Sequence, residues 1–180
     1  MTTTTINLFL SFLFLMNTSD ALIFNFTKEA NLSSWQVIDD GVMGGRSQGN
    51  FAINEEGNAV FEGTVSLDNY GGFSSVRHRL LEKDISKYTK VLLRIKGDGK
   101  KYQFRIKEKR RDYYSYITTF QTTNKWQTIT LEMHQMYPAF RGRTLNMDNL
   151  KPNKIEEIAI LIGNKKAEKF RLEIDSISLQ

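Results

Sequence analysis

A strict two-residue alternation of apolar and polar side chains restricts this chain more than any other feature. Tyr102, Phe104 and Ile106 alternate with Gln103, Arg105 and Lys107, and Phe170, Leu172 and Ile174 alternate with Arg171, Glu173 and Asp175. Successive side chains of a strand point to opposite faces, so this period describes strands with one face on a core and the other toward water. A parallel βαβ sheet, covered on both faces, would show continuously apolar strands instead. Further strands are predicted at 22–26, 35–38, 51–53, 59–66, 74–80, 91–96, 113–120, 126–133 and 155–162. Gly57 and the Gly97-Asp98-Gly99 triplet supply turn chemistry, and the second predicts that 91–107 is a hairpin. No segment carries a sustained 3.6-residue period. With 12 Phe and 7 Tyr among 180 residues, the chain is rich in side chains that suit a half-buried sheet face. The expectation is all-β: one antiparallel jelly-roll sandwich over residues 22–180.

The apolar run at 6–16 falls short of the ~20 residues that span a bilayer as a helix, so no membrane span is expected. Polar Asn17, Thr18, Ser19 and Asp20 follow it, and the small residues Ser19 and Ala21 are spaced for cleavage after Ala21. Residues 1–21 therefore read as a secretory signal, with a periplasmic or secreted product. A mitochondrial presequence fits less well, because such segments are Arg-rich and the first basic residue here is Lys28. The alternative is a first core strand or helix at this position, in a cytoplasmic protein.

Lys and Arg total 25 against 20 acids, so the surface is basic, which suits either solubility or an anionic partner. The absence of cysteine excludes structural disulfides, thiolate catalysis and Cys-ligated metal. Gly45-Arg46-Ser47-Gln48-Gly49 has the spacing of a nucleophile elbow, but it precedes β-like sequence rather than a helix, so no catalytic serine is expected. His78 and His134 stand in or at the end of predicted strands and form no zinc spacing; neither a dinucleotide nor a triphosphate loop is present, and no metal or cofactor is expected. Asp39 and Asp40 could act as acid and base or hold calcium, yet neighbours in extended chain point apart, which favours a turn before Gly41. Residues 100–116 interleave basic and aromatic side chains as in single-strand binders. Alternation nevertheless sends Tyr102 and Phe104 inward and leaves the charges solvated, so nucleic acid is not the expected partner. Arg141 and Arg143 flank Gly142 after Pro138, a loop suited to a carboxylate, a phosphate or an acidic protein surface.

The stretch WQVIDDGVMGGRS at 35–47 resembles the opening motif of the complex I intermediate-associated protein family, the thirty-kilodalton type. GTVSLDNYGGFSSVR at 63–77, KGDGKKYQFRI at 96–106, PAFRGR at 138–143 and FRLEIDSI at 170–177 resemble its later blocks in the same order. The resemblance implies a galactose-binding-like jelly roll without established catalytic residues, in a family whose eukaryotic members are assembly factors for respiratory complex I. By position it implies motif loops containing Asp39, Asp40, Arg46, Ser47, Arg77, Arg141 and Arg143, which become the candidate binding residues. The expected function is a non-catalytic binding module, an assembly factor or chaperone-like protein with a protein partner. The alternative is an exported carbohydrate-binding module that uses aromatics such as Tyr70 or Tyr137. An export segment suits the second better than a mitochondrial assembly role.

Overall fold

The computed structural model describes residues 20–180, so the apolar run and most of the expected secretory signal lie outside the described residues. The chain forms β1 (Ala21–Asn25), β2 (Trp35–Asp39), β3 (Gln48–Ile53), β4 (Ala59–Val65), β5 (Ser74–Asp84), β6 (Lys90–Lys96) and β7 (Lys101–Lys107). It continues through β8 (Ser115–Gln121), β9 (Gln127–Glu132), β10 (Tyr137–Phe140), β11 (Arg143–Thr144), β12 (Lys154–Ile162) and β13 (Glu168–Leu179). Among the described residues the only helical pieces are short 3-10 turns at Asp40–Met43, Asp68–Tyr70 and Met133–Gln135. None is long and apolar enough to cross a membrane.

Two antiparallel sheets enclose one core, as the alternation requires. The first runs β3-β4-β13-β6-β9, with β1 also paired to β13, and the second runs β11-β10-β8-β7-β12-β5-β2. Val91, Leu93 and Ile95 enter the core from the first sheet, and Tyr102, Phe104 and Ile106 enter it from the second, all fully buried. The expected 91–107 hairpin is therefore incorrect: β6 pairs with β13 and β9, whereas β7 pairs with β12 and β8. Alternation fixes which residues face inward but not which sheet they face from, and the glycine-rich link at 97–100 arches across the sandwich edge. Asp98 holds that arch by accepting from the backbone N–H of Lys100 and Arg171 and from the Tyr102 hydroxyl, at 3.2, 3.0 and 3.2 Å.

β12 departs from simple alternation. Ile158, Ile160 and Ile162 face the core, but Glu157, Ala159 and Leu161 on the opposite face are also nearly inaccessible. As a central strand it is covered on both sides, which explains the unbroken apolar run Ile158-Ala159-Ile160-Leu161-Ile162. The second cover is the long side chains of the flanking strands.

His78 on β5 is a packed core group. Its ring stacks on Trp35, with centroids 4.4 Å apart, meets Phe24 edge-on, and pairs through Nδ1 with the Ser34 hydroxyl at 3.1 Å. Burial, partly offset by Ser34, lowers its pKa from 6.5 to about 4. The unfolded chain then binds a proton that the folded chain refuses, so stability is fully present above pH 6.5 and declines as pH falls toward 4. Urea unfolding should show a loss approaching roughly 1.4 kcal/mol per pH unit between pH 6.5 and about 4, levelling off below that. His78→Phe should flatten that dependence.

Candidate functional site

Two neighbouring structures carry the family-like motifs. The first is a knot centred on Asp40, the residue that follows β2. Its carboxylate is fully buried and accepts from the Ser47 N–H at 2.9 Å, the Ser47 hydroxyl, the Gly72 N–H at 2.6 Å and the Phe73 N–H at 3.2 Å. Burial opposes ionisation, but the hydrogen bonds from Ser47, Gly72 and Phe73 outweigh it and hold the carboxyl below its usual 3.8. Two glycines make the approach possible. A Cβ on Gly45 would lie 2.2 Å from Asp40 Oδ1, and one on Gly71 would lie 2.6 Å from Oδ2. Asp39 points elsewhere, accepting from the Gly49 N–H at 3.0 Å and the Ser74 hydroxyl at 2.5 Å. The adjacent acids thus hold different loops, and among the described residues no cluster of His, Cys, Asp or Glu is arranged for a metal. Ser47 donates to the Asp40 carboxylate, while His78 lies under Trp35 and pairs with Ser34, so among the described residues no histidine is hydrogen-bonded to the serine of the elbow-like spacing.

The second is a groove of about 460 Å³ on the outer face of the second sheet. Strand register lays out its floor. Arg77 on β5 and Arg105 on β7 both stand opposite Ala159 on β12, and Ser75 and Gln103 both stand opposite Leu161. Lys107 stands opposite Glu157. Gly72, Phe73 and Gly163 border one part of the groove, and Tyr113 and Phe140 form part of its rim with centroids 5.3 Å apart at 82°. The β10–β11 connection is a two-residue turn, with Arg141 at φ 49° and Gly142 at φ 77°, both left-handed. It turns Arg141 back over the Phe140 ring, 5.2 Å from its centroid.

The candidate residues therefore separate. Arg77 and Arg141 line the groove; Asp39, Asp40 and Ser47 tie the loops beside it; exposed Arg46 lies 3.8 Å from exposed Asp68; and Arg143 is exposed on β11 outside the groove lining. Of the suggested aromatics, Tyr70 is fully exposed with a left-handed φ of 61°, whereas Tyr137 is half-buried on β10. Sequence reasoning missed Gln103 and Glu157, and it met Arg105, Lys107 and Tyr113 only as members of the basic and aromatic stretch at 100–116. Of the charges at 100–116 expected to be solvated, Lys101, Lys109, Arg110 and Arg111 are exposed, but Arg105 needs correction: it is half-buried, and its pKa is lowered to about 10 by burial and by the Arg77 charge. The five-residue apolar run in β12 was the available signal, since it required something to cover the outer face.

Two packed antiparallel sheets with a groove across one outer face define a galactose-binding-like β-sandwich, the jelly roll of carbohydrate-binding modules. Residues 24–174 match the Complex I intermediate-associated protein 30 family, and the chain belongs to it. The mouse protein Complex I intermediate-associated protein 30, mitochondrial, is 23% identical over 181 residues, which cover 88% of this chain but 55% of the mouse protein. Among solved structures, the family 11 carbohydrate-binding module from Clostridium thermocellum, in complex with a β-1,3-1,4-mixed-linked tetrasaccharide, has a TM-score of 0.65 at 19% identity, covering 89% of this chain and 94% of the module. An agarase has a TM-score of 0.60 at 13% identity, covering 89% of this chain and 24% of the enzyme. At these identities the structural likeness establishes the fold alone.

The knot makes a direct prediction. Asp40→Ala leaves three backbone donors, one buried and two half-buried, without their acceptor and should cost about 3 kcal/mol in urea unfolding. Gly45→Ala, which forces the same carboxylate aside, should be destabilising by a similar amount, and Arg46→Ala should change stability by less than about 0.5 kcal/mol.

Proposed function

We propose that this chain is a non-catalytic binding module that holds a protein partner in the groove of the second sheet, in the manner of an assembly factor. The observation that carries this reading is the groove: a half-buried cationic floor with an aromatic rim, which has the chemistry of recognition. Its boundary Gly72 and Phe73 are fixed by Asp40, so the family motif serves to shape the site rather than to react. The name of the mouse relative supports a role in building a larger assembly, although the chain spans about half of that protein. Affinity capture with cross-linking mass spectrometry provides the test. A specific partner should cross-link at Lys107, and Tyr113→Ala with Phe140→Ala should reduce its recovery at least roughly fivefold, as expected for aromatic anchors. Recovery unchanged by the paired substitution would exclude the groove as the binding surface.

The Tyr113 and Phe140 pair also favours a second reading, binding of a carbohydrate, since aromatic rims can stack on sugar rings and the fold is that of carbohydrate-binding modules. A glycan array without signal would remove it. Export belongs with this proposal as well. N-terminal sequencing of the mature protein should begin at Leu22, and an intact Met1 would contradict processing.

A further inference from the structure

The charge on the groove floor is specific enough to name a ligand chemistry. Strands in a sheet are spaced ~4.8 Å apart, so Arg77 and Arg105, one strand either side of Ala159, rise from backbone positions roughly 10 Å apart. The methyl of Ala159 between them is nearly inaccessible under those long side chains and lies on the groove floor, so a ligand in the groove meets the guanidiniums first. Gln103 Oε1 accepts from Arg105 Nε at 3.3 Å and Nη2 at 2.7 Å, which orients that guanidinium. Neither arginine has an ion-pair partner among the described residues, although cations elsewhere do, as in Lys96 with Glu173 at 3.6 Å and Lys100 with Asp98 at 2.8 Å. Among the described residues the one carboxylate lining the groove is Glu157, two residues along β12 from Ala159, and it forms an ion pair with neither arginine. Two like charges on a half-buried floor without a counter-ion repel one another, and a bound anion would relieve that repulsion.

A neutral sugar would cover both guanidiniums without compensating either. An acidic sugar would supply the charge, but with one face of Phe140 taken by the Arg141 guanidinium it would have less aromatic surface to stack on than the whole rim offers. We infer that the groove recognises an extended acidic peptide segment, with a carboxylate held between Arg77 and Arg105 above Ala159. This rests on the reading of the partner as a protein. Two guanidinium forks meeting one planar carboxylate provide directional recognition that lysines would not.

The test uses the full chain with fluorescein-labelled oligoglutamate, a matched oligoglutamine and an oligogalacturonate, followed by fluorescence anisotropy at low and physiological salt. Oligoglutamate should bind, oligoglutamine should not, and Arg77→Gln or Arg105→Gln should each weaken binding by about tenfold or more, as for loss of a charge-assisted hydrogen bond. Arg105→Lys, which keeps the charge and most of the packing, should recover only part of the affinity and stands in if Arg105→Gln does not fold. The distant Lys125→Gln should bind as the parent does. Equal binding of oligoglutamine, or an unaffected Arg77 and Arg105 double variant, would overturn the proposal; binding of oligogalacturonate without oligoglutamate would overturn the peptide assignment. The two readings fail separately. Partner capture that persists in the double variant removes the clamp and leaves the protein-binding role, whereas arginine-dependent oligoglutamate binding without any captured partner does the reverse.

Discussion

The buried carboxylate of Asp40 is the constraint on which the site depends. An ionised group in an accessible loop could be replaced at little cost, but one removed from water requires nearly all of its hydrogen-bonding capacity to be met. Here the donors come from two separate segments, the loop before β3 and the loop before β5. One side chain therefore fixes where the chain enters both sheets. The glycines around it follow from the same requirement, because backbone must come close enough to donate.

The outer face of β12 depends on this arrangement in turn. β5 starts at the knot and brings Arg77 alongside Ala159, while β7 brings Arg105 from the other side. A small residue between two long ones produces a depression in a surface that would otherwise be flat. The strand contributes to the electrostatics as well, since the residue directly between the guanidiniums is Ala159, and the carboxylate of Glu157 stands two residues along, opposite Lys107. The same contrast in side-chain length that forms the groove thus also concentrates its charge.

The architecture was legible because side-chain alternation is a direct projection of sheet geometry: inward positions such as Phe104 and Leu172 could be read from the chain, and both are buried. Pairing was less legible. The link between β6 and β7 has the composition of a hairpin turn, yet it joins different sheets, because glycine permits an arch as readily as a reversal. Short β10 and β11 were also missed, since their four and two residues are too few to display a period. The site was half legible. Arg77 and Arg141 could be named from the motif blocks, but Arg105 meets Arg77 only through β12, a strand distant in sequence from both. Asp39, Asp40 and Ser47 stood out because of their spacing, and the structure gives that spacing a structural use.

The twelve residues of β13 pair with β4 over their first part, with β1 over their last, and with β6 along the opposite edge. The first sheet is therefore assembled around the final stretch of this sequence. During synthesis, β1, β4 and β6 must wait with open edges until β13 arrives, which makes pairing dependent on long-range closure and slows folding. A nascent chain in that interval exposes the strand edges that chaperones cover and aggregation exploits.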